Sequence, residues 1–373
     1  MVSEIQGKRL VQIFEAWAPK SLAYQWDSVG LQIGSLDRTV QKVMVTLDVI
    51  ESVVDEAVEK NVDLIIAHHP ILFSPLKQIN VEDPKGRTIE KLIKNNITVY
   101  AAHTNLDITS GGVSDIIMDK LSIHPTKVLV KSATMKLFKL IVYVPESHAS
   151  NLIEKLGNAG AGHLGNYSHC SFTSKGVGAF KPLKGSNPHL GEIDSLKKVN
   201  EVKVETIIRE DQISHLLTVI TDVHPYEEVA YDLIPLWNKG NDIGAGRIGQ
   251  LKEPISLKEF CQFVKDRLDL PAVRVIGDLH ETVKKIAVLG GSGEDFIETA
   301  ISHDVDVYLT GDLTFHDAQD GWQAGLKMID VGHYVENHLT HAVKHYLEEK
   351  LNGEGETIEI IVSSVNTDPF QFL

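Results

Sequence analysis

Cysteine is nearly absent from this chain. Cys170 and Cys261 are the only two in 373 residues, and their wide separation argues against both a disulfide framework and a thiolate zinc site. No run of about 18 apolar residues occurs, so no membrane-spanning helix is expected. The opening Met1-Val2-Ser3-Glu4-Ile5 lacks the basic and apolar regions of a secretory signal. These features together predict a reducing, cytoplasmic setting. Basic charge is also scarce. With 36 Lys and Arg against 51 Asp and Glu, the formal charge is −15, the opposite of the basic stripe expected of a general nucleic-acid binder. Histidine, by contrast, is plentiful at 17. Surface positions account for some of these, and a metal-rich site would account for others. The length exceeds one ordinary core and suggests two or three domains.

The most informative stretch is Val62-Asp63-Leu64-Ile65-Ile66-Ala67-His68-His69-Pro70. Its apolar, β-branched run reads as a buried strand, and Pro70 stops it because it has no N–H for the ladder. Two imidazoles thus arrive at the C-terminal edge of a sheet, where α/β proteins place their chemistry. Adjacent strand residues point to opposite sides, so two metals side by side accommodate the pair better than one. A polar cap on a strand is the plainer reading, and partners elsewhere in the chain have to decide between them.

Alternating strand and helix patterns run from Lys42 to Ala102 and imply βαβ units with a largely parallel sheet. The strand Ile97–Ala102 ends in His103-Thr104-Asn105-Leu106-Asp107, a second edge with an imidazole and a carboxylate. Asp27, at a turn before Gly30–Ile33, reads either as a turn cap or as a carboxylate facing the site. Near residue 134 the texture changes. Strand, helix, two or three strands, helix and strand follow to Leu236, the ferredoxin-like order, and predict an inserted domain over 135–237. Gly244-Ala245-Gly246-Arg247-Ile248-Gly249 has dinucleotide-binding spacing, but no helix opens after it, so it is not read as a nucleotide fingerprint. Gly290-Gly291-Ser292-Gly293 does lead from a strand into a predicted helix. Its backbone amides either cradle an anion or form a tight turn. The strand Met328–Val331 leads into His333 and Glu336, three apart on one face of a predicted helix.

Three strand ends, at 67–69, 102–107 and 331–336, therefore offer imidazoles and carboxylates without cysteine, a donor set that suits Zn²⁺, Mn²⁺, Fe²⁺ or Co²⁺. His68, His69, Asp107, His333 and Glu336 suffice for two metals if one carboxylate bridges them. Ions in such sites lie about 3.5–4 Å apart.

Leu64–Pro70, Ala102–Asp107 and Gly332–Glu336 together resemble the NIF-three-like family, whose members are often named type 2 homologues of GTP cyclohydrolase 1. Asp27-Ser28-Val29-Gly30-Leu31, Thr310-Gly311-Asp312 and Thr367-Asp368-Pro369-Phe370 add to the likeness. The insert resembles the YqfO/CutA-type domains related to PII signalling proteins through Gly160–Tyr167 and His224-Pro225-Tyr226-Glu227-Glu228. The resemblance implies an α/β, two-lobed fold with mixed and parallel sheets. Residues 1–130 would form one lobe, 238–373 the lobe that completes the metal site, and 135–237 an inserted ferredoxin-like (PII/CutA-like) α+β domain. It also implies a homohexamer built as a trimer of dimers and two divalent metal ions per subunit, with Zn first and Fe, Mn or Co as alternatives. His68, His69, Asp107, His333 and Glu336 fall on the family's ligands, with Glu336 as the bridge, and His103 where a substrate-facing or supporting histidine is expected. The implied activity is metal-dependent hydrolysis of a nucleotide or related substrate. In the version its name suggests, the imidazole ring of GTP opens and formate leaves. His103 or His316 would carry the proton and Gly290–Gly293 would receive phosphate. The competing class is a non-enzymatic metal chaperone or sensor, or a ligand-binding regulatory hexamer.

Overall fold

The structure is a computed structural model that describes residues 4–373. The chain divides into two compact units, one formed by the residues up to Ser132 together with Ile243–Leu373, the other by Ala133–Asp242.

Among the described residues the first unit holds two larger sheets and a two-stranded ribbon, Ile5–Gln6 with Thr39–Val40. One larger sheet has the order Glu359–Val362, Lys42–Thr46, Leu64–Ala67, Thr98–Ala101, Gly30–Ile33. Its first four strands are parallel and Gly30–Ile33 pairs antiparallel at the edge. Leu64–Ala67 is buried throughout, as a parallel strand covered on both faces should be. Alternate residues serve different cores. Ile65 and Ala67 pack with Met44, Val53, Ala57 and Leu92, whereas Leu64 and Ile66 join Val43, Val45 and Tyr100 in a larger core on the other face. The second sheet runs Arg274–Ile276, Lys327–Asp330, Val307–Gly311, Thr282–Ser292, and then the C-terminal half of Tyr231–Ser256. Its Ile286, Val288, Leu309 and Ile329 enter that same larger core, together with helices Gly7–Glu15, Val113–Lys120, Leu257–Leu268 and Leu339–Gly353. The two outer segments of the chain therefore share one hydrophobic core and fold as one body.

The second unit runs strand, helix Ala149–Asn158, strands Ser171–Phe180 and Lys197–Arg209, helix Ile213–Val223, strand. Lys197–Arg209 lies between Pro125–Pro145 and the edge strand Ser171–Phe180 and is antiparallel to both. Leu140, Val142, Val204 and Ile208 pack under Leu152, Leu156, Leu216 and Ile220. The entering and leaving strands, Pro125–Pro145 and Tyr231–Ser256, are much longer than the sequence pattern predicts. Gly244–Gly249 lies inside the latter strand. A side chain at Gly244 would meet the Val130 carbonyl at 1.9 Å, so that glycine permits close strand approach. Arg247 is buried there, with its guanidinium on Asp115 and the carbonyls of Thr109, Gly244 and Gly246.

The C-terminal tail is fastened by a buried carboxylate. Glu56, only 8% exposed, accepts hydrogen bonds from Lys60, both Ser363 and Ser364 hydroxyls, and the Ser364 amide. Burial alone would raise its pKa, but these donors outweigh it and hold the group at about 2, from 4.5. A folded pKa below the unfolded one gives stability that is fully present above pH about 4.5 and lost as pH falls toward 2. Glu56→Gln should therefore cost about 1–3 kcal/mol at pH 7, with the gap to wild type shrinking in denaturation curves taken from pH 4.5 down to 2.5.

Candidate metal centre

The C-terminal ends of parallel strands from both sheets converge, the position at which open α/β sheets bind ligands. The ladder continues past Ala67, with His68 N–H donating to Thr46 O and His69 N–H to Leu47 O, so both histidines are fixed by backbone pairing. His103 precedes the short helix Thr104–Ile108, which carries Asp107. His333 and Glu336 lie not on an α-helix, as their spacing predicts, but on the 3-10 helix His333–His338. Residues three apart eclipse one another in a 3-10 helix. The two side chains are thereby stacked, with His333 Nε2 3.2 Å from Glu336 Oε2.

Each imidazole is oriented from behind. His68 Nδ1–H donates to the Ala102 carbonyl (2.9 Å), His69 Nδ1–H to Asp48 (2.7 Å), His103 Nδ1–H to Asp27 (2.9 Å) and His333 Nδ1–H to Asp312 (2.6 Å). Such partners fix the tautomer and leave Nε2 for a ligand. Asp27 also accepts from the Thr104 amide and hydroxyl. Burial opposes its ionisation, but the bonds from His103 and Thr104 hold it at about 2. Asp48 is likewise held below the usual carboxylate range, because burial is outweighed by His69 and by the Thr367 hydroxyl.

Inside this ring the focus is Glu336, 3% exposed. Its Oε2 lies 3.1 Å from His69 Nε2, 3.2 Å from His333 Nε2 and 3.6 Å from His68 Nε2. Ligand atoms fall into three groups, each within 4.8 Å: His69, His333 and Glu336; His68, Asp107 and Glu336; and His68, His69 and His103. The nitrogen and oxygen donors suit a divalent cation of the zinc, manganese, iron or cobalt type. Two buried atoms of the cluster, His68 Nε2 and Asp107 Oδ1, have no hydrogen-bond partner among the described residues, and a bound ion would satisfy both. The clustered side chains can thus bind a metal ion.

Without a cation the cluster holds protons. Burial, then the facing Glu336, pushes Asp107 up to about 8. Burial lowers His69, but Asp48 and Glu336 outweigh it and raise it to about 10. The bond to Glu336 outweighs burial at His333 and, with Asp312, raises it to about 9. Glu336 itself would be raised by burial, yet the surrounding imidazoles bring it well below its ordinary value.

All five expected ligands and His103 meet here. His316 does not join them. It is exposed on helix Phe315–Gln323, with its ring against Phe315. The glycines of the Gly290–Gly293 turn lie close against neighbouring side chains. Gly291, at φ +71°, lies where a side chain would meet Glu336 Oε1 at 2.4 Å, and one at Gly293 would meet Thr310 Oγ1 at 2.2 Å. Sequence reasoning did not single out Asp48 and met Asp312 and Thr367 only within motifs. Their signal is positional, since Asp48 and Asp312 each follow a strand parallel to a ligand-bearing one.

The Duf34/NIF3 (NGG1p interacting factor 3) profile matches residues 5–369. The chain belongs to the Duf34/NIF3 family. Within that family it is 48% identical to a Bacillus subtilis protein named GTP cyclohydrolase 1 type 2 homolog, over all of both chains. A Staphylococcus epidermidis protein of the same name is 36% identical, covering 97% of this chain and 98% of its own. Among solved structures, a Bacillus cereus protein related to NIF3 superposes with a TM-score of 0.89 at 43% identity, covering 100% of each chain.

Two outcomes follow from this geometry. Asp48→Asn and Asp312→Asn should each weaken metal affinity about 10–100-fold in chelator competition, whereas unchanged affinity would reduce these carboxylates to strand caps. Because His69, His333 and Asp107 retain protons at pH 7 and ligands must give them up, affinity should rise from pH 6 to 9. Calorimetry in buffers of different ionisation enthalpy should detect the released protons.

Proposed function

We propose that this cluster is a dinuclear divalent-metal centre and that the protein is a metal-dependent hydrolase acting on a nucleotide or related small molecule. The observation carrying this reading is the sharing of Glu336 between two ligand groups. His69 and His333 would hold one ion, His68 and Asp107 the other, with Glu336 common to both. Bound there, such ions supply a water acidic enough to ionise near neutral pH. The remaining work belongs to side chains. Asp27 holds His103 with its proton on Nδ1, so the free Nε2 can take a proton from the attacking water and return it to the leaving group. The names of the relatives favour GTP ring opening with formate release as the first reaction to test.

A metal-delivery role is the second reading. His68 is fully buried, whereas His69 and His333 are partly open to solvent, an inequality that would let one ion exchange more readily. We further propose cytoplasmic, homohexameric assembly, and kinship of the 133–242 unit with PII/CutA-type domains, supported by its strand and helix order.

Metal analysis should give two ions per chain, and native mass spectrometry six chains per particle. The protein loaded with Zn²⁺, Mn²⁺, Fe²⁺ or Co²⁺ should release formate from GTP. Absence of formate with all four removes the cyclohydrolase reading and leaves a broader hydrolase. His103→Asn should lower kcat about 10²–10⁴-fold at unchanged metal content.

A further inference from the structure

Two large aromatic side chains stand exposed beside the cluster, Trp26 at 62% and Phe73 at 52%. Their ring centroids are 5.9 Å apart, and each lies edge-on to His103, at 6.3 and 6.2 Å. Tyr24 stacks on Trp26 at 5.7 Å. Aromatic rings ordinarily bury most of their surface, so a contiguous exposed group at the mouth of a polar cluster requires a reason.

The backbone beneath these rings is pinned to the site. Asp27, next to Trp26, is held by His103 and by Thr104, and the Tyr24 amide donates to the Thr104 hydroxyl. Across the mouth, the Leu72 amide next to Phe73 donates to the Gln32 side chain, which itself donates to the Ser28 carbonyl. The aromatic faces are therefore preorganised rather than carried on a loose loop, which limits the entropy lost when a ligand binds.

We propose that Trp26 and Phe73 form a stacking lip that takes the planar heteroaromatic ring of a small-molecule substrate and presents its edge to the cluster. This rests on reading the cluster as a metal-dependent catalytic site. A flat heteroaromatic ring has apolar faces and a polar rim. The lip offers aromatic faces, and directly beside it lies His103, which can receive polar atoms of the rim. An aliphatic substrate would leave the aromatic faces unused.

The test uses the full-length, metal-loaded protein with guanosine and adenosine as probes and ribose as the control. Both nucleosides should bind by calorimetry and quench tryptophan emission, and ribose should do neither. Trp26→Ala should weaken nucleoside binding by about tenfold or more, in line with the loss of one base–aromatic stack. Trp26→Phe should restore most of it, with metal content unchanged in both variants. If the wild type carries its metal but binds neither nucleoside, or if Trp26→Ala binds them equally well, the lip proposal is overturned and the metal centre stands. Trp26-dependent nucleoside binding by a protein that takes up no metal would support the lip and remove the metal reading. A Trp26→Ala, Phe73→Ala double variant that changes only oligomer mass would assign the lip to contact between copies of the chain and overturn the proposal.

Discussion

Three imidazole nitrogens face one buried carboxylate oxygen, Glu336 Oε2, and the surrounding structure is arranged to make that approach feasible. A buried carboxylate without partners is strongly unfavourable, so the three histidines stabilise Glu336 as much as they use it. The constraint reaches into the backbone. Only glycine at 291 leaves space for the carboxylate, and only a 3-10 turn eclipses Glu336 with His333. Asp312, which orients His333, adopts φ +57°, a left-handed conformation that Asp tolerates better than most residues. Of these three positions Asp312 is the non-glycine residue held in the left-handed region, and strain of that kind fits a functional site.

Much of this was legible in the sequence because it follows from local rules. The run Leu64–Ala67 and the proline after His69 place two imidazoles at a strand end, and the spacing of His333 and Glu336 puts them on one face in either helix type. Less legible was anything set by residues distant in sequence. Asp48 looks like any acidic residue after a strand until Leu64–Ala67 pairs beside Lys42–Thr46 and brings His69 to it. Gly244–Gly249 shows only dinucleotide-binding spacing without the helix that motif needs, since sequence does not reveal that Val130 passes against Gly244 and makes glycine necessary inside a strand. His316 had suitable chemistry for proton transfer, but its helix leaves it exposed and outside the cluster.

Charge explains why the histidines are held so firmly. Asp27, Asp48 and Asp312 each sit behind an imidazole, and Asp107 and Glu336 sit in front. Without a cation, protons on His69, His333 and Asp107 offset this negative charge. Protons and cations therefore compete for one set of donors, and the carboxylates behind the rings favour either occupant over an empty, fully ionised cluster. The same Nδ1–H bonds aim the Nε2 atoms inward, so a proton or a cation would meet them without ring rotation.

A site drawn from positions as far apart as His68 and Glu336 could be expected to suffer from a long insertion between them. It does not, because ligand placement depends on the C-terminal ends of parallel strands, and those ends are set by the shared core of Leu64, Ile66, Leu309 and Ile329. The chain leaves this core at Ser132 and returns at Ile243, along Pro125–Pro145 and Tyr231–Ser256, neither of which contributes a residue to the cluster. The return is locked by Arg247, whose guanidinium ties the re-entering strand to Asp115 and to the Thr109 carbonyl. Thr109 immediately follows the short helix that carries Asp107. The insertion thus enters and leaves on strands that contribute no residue to the cluster, while the returning strand is clamped at Arg247 to the segment that carries Asp107.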